Sequence, residues 1–273
     1  MKIINSYVMF GDMKENWGVN ISVNLRQHFT LYPNGILWIH TDGELNDNRY
    51  NPIIKKLAQE GLLKLTIVKN EGLQFQQRWK TMMMLWRLLP IWEDTDYVFC
   101  RDLDSILTPR QLQCSKEFIN SGKIAHGIND NDAHDLPLMG GMCGFKSKEF
   151  IQCIGNKNLN DLVSGTYNQE SWQNHGTDQR FLNRHIHPLI SHSFLMHKLQ
   201  GPNRRSDIKT VCNVDVSEVS KEIQERGDDF CNYIGACGNT ASNKEMIDFY
   251  NQYGNKEKCQ IITKIEKEYN FNE

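Results

Sequence analysis

Apolar and polar positions recur along this chain in two periods, and each switch between them marks an element. Residues 2–10 are a short, nearly continuous apolar run, the pattern of a buried strand. Gly11–Gly18 is polar and reads as a loop, and Val19–Phe29 has helical spacing. Pro33-Asn34-Gly35 is a turn, and Ile36–His40 is a second strand stopped by Thr41-Asp42-Gly43. Asn51–Glu60 carries Pro52 in its first turn and Gly61 behind it, the punctuation of an amphipathic helix. Leu63–Val68 reads as a third strand, Gln74–Leu89 as a helix closed by Pro90, and Tyr97–Cys100 as a fourth strand. Asn243–Glu273 is charged and helix-like, and predicts a peripheral C-terminal helix with a frayed end.

Strands alternating with helices of this length predict βαβ units: an α/β fold with a mostly parallel central sheet flanked by helices. The 273 residues suit one large domain or two lobes on one core, and no repeat or low-complexity linker divides them. Hydrophobic content of 39% and charged content of 23% are ordinary for a globular enzyme. A net charge of −2 leaves no basic surplus, which argues against nucleic acid or an anionic membrane as partner. No run approaches the roughly 20 apolar residues of a membrane span. The first ten residues hold one Lys and a broken apolar run, unlike a signal peptide, so the expected location is cytoplasmic. Eight cysteines contain no C-x-x-C pair, which disfavours zinc; they read as free, buried thiols, with disulfides as the alternative for a secreted chain.

Parallel sheets bind ligands beyond the carboxyl ends of their strands. That places Phe10-Gly11-Asp12, Asp42 and the segment after Cys100 at the functional rim. In Arg101-Asp102-Leu103-Asp104-Ser105 the two carboxylates project to one side of extended chain and repel unless a positive charge lies between them. Their hard oxygens suit Mn²⁺ or Mg²⁺, ions that also bind substrate phosphates. The bland alternative is an acidic strand-end turn with Asp104 capping the next segment. Gly140-Gly141 admits close backbone approach or forms a tight turn. Asp178 opens an apolar helical stretch, as a helix-start residue or as a reactive carboxylate. Arg87 and Arg101 are placed to pair with a diphosphate or with the aspartates themselves.

The order of these stretches resembles the GT-A glycosyltransferases. Trp86-Arg87-Leu88-Leu89-Pro90 leads through Asp94-Thr95-Asp96 into the strand before the D-x-D pair, as in many of that group. The Arg101–Ser105 stretch is similar to a poorly characterised R-D-x-D-S group also seen in large DNA viruses. Phe10-Gly11-Asp12 with Asn16 and Gly18, then Tyr32-Pro33 and Asp42, resembles its nucleotide-binding start. Leu138–Phe145 resembles its G-G-M-x-G loop, and Gly176–Asn183 resembles a D-Q-x-x-L-N helix start shared with retaining sugar transferases.

The resemblance implies a GT-A (Rossmann-like) catalytic domain over 1–242, with a nucleotide-binding half at about 1–110, an acceptor-side half at 111–242, and a helical extension at 243–273. It implies transfer of a sugar from a nucleotide-sugar, with UDP expected from Asp42 and GDP as runner-up, to a glycan or protein acceptor. Donor contacts would come from Phe10, Gly11, Asp42, Arg87, Arg101, Asp102, Gly140, Gly141 and Lys198. Asp178 would be the catalytic carboxylate, and Asp102 and Asp104 the metal ligands. A C-terminal His commonly completes the metal site in such enzymes; His197, emerging at a strand end, is preferred to His192. Lys198 with Arg204 and Arg205 is either a closing lid over diphosphate or a solvated turn. The Asn129–Asp135 run reads as an acceptor-side loop outside the metal site. The rivals are a haloacid-dehalogenase-like phosphatase with Asp102 as nucleophile, and a non-catalytic nucleotide-sugar-binding relic.

Overall fold

The structure is a computed structural model, described over residues 1–9, 15–41, 51–68, 80–103, 105, 109–129, 136–166, 169, 170, 172, 174, 176–197 and 240–269. In chain order the elements are β1 (Ile3–Met9), α1 (Glu15–Leu31), β2 (Ile36–Thr41), α2 (Asn51–Gln59), β3 (Lys64–Ile67) and α3 (Lys80–Met83). A 3₁₀ run, Met84–Trp92, follows, then β4 (Tyr97–Arg101), α4 (Pro109–Ser121), β5 (Ala125–Ile128), β6 (Met142–Lys146), α5 (Ser147–Cys153) and α6 (Leu159–Thr166). Then come α7 (Thr177–Phe181), a wide π stretch (Leu182–Ile186), α8 (His187–Ile190), β7 (Phe194–His197), α9 (Thr240–Tyr253) and α10 (Lys256–Glu268).

The strands form a seven-stranded sheet in the order β3-β2-β1-β4-β6-β5-β7. Strand β6 alone runs against its neighbours, pairing antiparallel with β4 and β5, while the other described pairings are parallel. Gly144 makes that reversed strand fit. A Cβ there would lie 2.5 Å from the Phe99 ring and 2.7 Å from His126 Nε2. The chain is therefore an α/β fold: a mostly parallel sheet with helices on both faces and a C-terminal helical tail.

Two cores cover the two faces. On the front, Val98, Cys100, Cys143 and Phe145 pack with Trp172 and Phe181 under the 3₁₀ run and α5–α8. On the back, Tyr7 and Ile39 pack with Leu25, Ile54 and Ile262 of α1, α2 and α10. Phe99, Phe118 and Leu195 continue the back face beneath α4.

Three elements differ from the sequence expectation. Helix α1 starts at Glu15, inside the segment read as loop. Gly18 within it costs on the order of 1 kcal/mol, which a 17-residue helix packed on a core tolerates. The described part of the Gln74–Leu89 helix is mostly 3₁₀ and runs through Pro90 to Trp92. Pro90 has no N–H to give Arg87 O, and the Cys100 thiol donates to that carbonyl instead, at 3.6 Å. The C-terminal segment is two helices, and its inner face is core. Ile262 and Ile265 are buried, and the Glu266 carboxylate holds the fully buried Arg26 guanidinium through Nη1 (3.0 Å) and Nη2 (2.7 Å). The five described cysteines (100, 114, 143, 153 and 259) are free thiols. Among the described residues no helix is long and apolar enough to cross a membrane.

Candidate functional site

Strand β4 ends at Arg101, and the alternation of its side chains continues into the turn beyond. Cys100 and Asp102 face the front, whereas Phe99 and Arg101 face the back.

On the front, the Arg87 guanidinium joins two carboxylates that are far apart in sequence. Nη1 donates to Asp102 Oδ1, and Nη2 to Asp178 Oδ2 at 3.1 Å. Arg87 Nε donates to Met84 O at 2.7 Å, which fixes the plane of the fork. Arg87 is 3% exposed, Asp178 7% and Asp102 30%, so the cluster opens to solvent on the Asp102 side. Burial disfavours the Arg87 charge, but Asp102 and Asp178 more than offset this, and its pKa is raised. Burial pushes the Asp178 carboxyl upward; Arg87 opposes that rise and Asp102 adds to it.

The glycine pair packs directly on these carboxylates. A Cβ on Gly140 would lie 2.7 Å from Asp178 Oδ2, and one on Gly141 would fall within the Asp102 carboxylate. The close approach expected of this loop is therefore made first to the protein's own acids. Asp178 lies in the first turn of α7, after Gly176 in the left-handed region at φ 77°. Asn183 ties α7 to the glycine loop. Its Oδ1 accepts from Leu138 N at 2.9 Å, and its Nδ2 donates to Leu138 O at 2.8 Å. The same Nδ2 donates to Gln179 O at 2.7 Å, so a side chain enters the helix ladder where the π stretch begins.

The back of the same strand end carries a different cluster. Arg101 is buried, with Nη2 3.4 Å from Ser115 Oγ and its guanidinium carbon 5.2 Å from the Phe99 ring centroid. Among the described residues no carboxylate pairs with it, and its Nε has no hydrogen-bond partner. His126 lies flat on Phe118, ring centroids 4.5 Å apart, and both its nitrogens lack partners. Burial, with His197 and Arg101 nearby, holds its pKa well below the usual imidazole value. His197 is fully buried, edge-on to His126 at 5.1 Å, with Nδ1 3.5 Å from Glu117 Oε2.

The structure thus brings together Arg87, Asp102, Asp178, Gly140 and Gly141. It sets Arg101 and His197 apart from them, beneath the sheet. Arg101 was expected beside Asp102 as a donor contact, but period-two alternation turns adjacent residues to opposite faces. Phe10, Gly11, Asp42, Asp104, Lys198, Arg204 and Arg205 lie outside the described residues. No three His, Cys, Asp or Glu side chains converge as a metal centre among the described residues, which do not include Asp104.

No protein-family model matches the chain. No curated protein matches it either. Among solved structures it is similar to a glycosyltransferase involved in the glycosylation of the major capsid of PBCV-1. That likeness has 9% identity and a TM-score of 0.43, over 72% of this chain and 81% of that one.

Proposed function

We propose that this chain is a metal-dependent glycosyltransferase that moves a sugar from a nucleotide-sugar, with UDP as the expected nucleotide, to a glycan or protein acceptor. The observation that carries the reading is the buried Arg87 fork, shared by Asp102 and Asp178 at the carboxyl end of β4 and backed by Gly140-Gly141. Ligands of parallel sheets bind at this rim. Donor recognition at Asp42, Phe10 and Gly11, and diphosphate contact from Lys198, belong to the same proposal.

The donor set fits a divalent ion. Two carboxylates against one guanidinium leave the described cluster with one negative charge, and Asp104 would add a second. Asp102 and Asp104 would hold Mn²⁺ or Mg²⁺, whose charge would neutralise a diphosphate leaving group. Arg87, planar and fixed by Met84 O, would donate to a phosphate oxygen once Asp102 turns to the metal. Asp178, buried on the opposite side of that fork, would stabilise the positive charge that develops on the sugar. The resemblance of its helix start to retaining families favours that role over general base for an inverting transfer.

Mass spectrometry of the protein with a panel of nucleotide-sugars and Mn²⁺ tests the activity: turnover of one donor is expected. Asp102→Asn should abolish Mn²⁺-dependent UDP binding in calorimetry with the fold intact. Wild-type affinity in that variant, or a phosphoenzyme formed at Asp102, would overturn the reading.

A further inference from the structure

We infer that Asn24 is the positioning residue of the turn from Asp102 to Ser105, holding it from the back of the sheet. Asn24 lies in α1 and is fully buried. Its Nδ2 donates to Ser105 O at 3.1 Å and to Leu103 O at 3.4 Å. One amide therefore spans the two carbonyls that bracket residue 104. The turn is closed by Ser105 N donating to Asp102 O at 3.2 Å. The described carbonyls of the turn, on Leu103 and Ser105, are thus both held from α1.

The clamp is only as rigid as the helix that carries it, and α1 is anchored on both sides of Asn24. Arg26, two residues on, donates to Glu266, to Thr263 Oγ1 at 3.0 Å and to Asn251 Oδ1 at 2.9 Å. Ser22, two residues before, donates to Glu266 Oε1. Residues two apart on a helix point to nearly opposite sides. Asn24 accordingly faces the turn while Ser22 and Arg26 face α9 and α10. The tail helices therefore brace the helix that holds the Leu103 and Ser105 carbonyls. Sites of this kind lose function when their supporting groups slacken by about 1 Å.

The consequence for metal rests on the proposed function, so the test has two independent readouts. Hydrogen exchange of the unliganded protein reports the clamp itself: Asn24→Ala should raise exchange at the Ser105 amide at least tenfold. Calorimetry of UDP with Mn²⁺ reports its purpose: affinity should fall at least tenfold. Asn5→Ala is the control, because buried Asn5 also bonds α1, with its Nδ2 3.1 Å from His28 Nδ1, but lies in mid-strand. It should lower Tm comparably and leave both readouts unchanged. Asn24→Ser, which keeps one donor, should fall between wild type and Asn24→Ala and stands in if the alanine variant does not fold. Unchanged exchange at Ser105 in the Asn24 variants overturns the clamp. Raised exchange with unchanged UDP–Mn²⁺ affinity overturns the positioning role. If the wild type binds no UDP with Mn²⁺, the functional reading falls and exchange alone decides the clamp.

Discussion

Adjacent residues at the end of β4 belong to two polar environments that differ in how charge is balanced. On the front, Arg87 is buried yet shared between Asp102 and Asp178, and the Asp102 side reaches solvent. On the back, Arg101 is sealed beneath the sheet with a serine hydroxyl and an aromatic ring, and His126 next to it is neutral and unpartnered. A paired cation at an open rim can exchange a carboxylate for an incoming anion. A sealed cation has nothing to exchange. The difference separates a candidate site from a scaffold although both are built from the same residue types.

The largest test of that contrast is Asp178→Asn. Transfer should fall by several orders of magnitude while UDP affinity changes little, because in the proposed function the carboxylate would face the sugar and not the nucleotide. Product assays beside calorimetry measure both, and an active variant would remove Asp178 from the site. Next is a pair of arginine replacements. Arg87→Met leaves two carboxylates at the rim without their cation and should cost about 3–5 kcal/mol in urea unfolding. Arg101→Met removes a buried charge that has no described counter-ion and should change stability by less than about 1 kcal/mol. Equal losses would erase the distinction between the faces.

The remaining effect is in acid. Burial lowers His28 to about 4 and His40 to about 3, and holds His126 well below its ordinary value. Below pH 6.5 the unfolded chain takes up protons that the folded chain refuses. Stability is therefore fully present above pH 6.5 and falls as pH drops toward 4, at up to about 1.4 kcal/mol per pH unit for each histidine. Thermal melts across that range should show the slope, and His126→Leu should flatten it. An unchanged slope in that variant would mean that the back face titrates in the folded protein.

Much of the fold was legible because it is periodic. The strands ending at Met9, Thr41 and Arg101 follow from apolar runs, and the carboxyl ends of those strands mark the rim. Arg101 is the instructive case. The same alternation that turns Asp102 to the front puts Arg101 on the back, yet its place in a motif suggested proximity. His197 was placed correctly at a strand end, but nothing in a four-residue strand shows that Glu117 and His126 enclose it. Asn24 was invisible for another reason, and Asn183 was seen only as the last residue of the D-Q-x-x-L-N stretch. Each acts through its amide on the backbone of a distant segment, and such bonds leave no period, spacing or charge pattern.

The Arg26–Glu266 pair has a consequence for how the protein is made. Its partners are 240 residues apart, so at about 5–20 residues per second the arginine leaves the ribosome roughly 12–48 s before its carboxylate is synthesised. Through that interval α1 carries a guanidinium that cannot be buried without large cost. The nascent sheet therefore stays open on its back face until the tail arrives, and chaperone binding during synthesis should concentrate there.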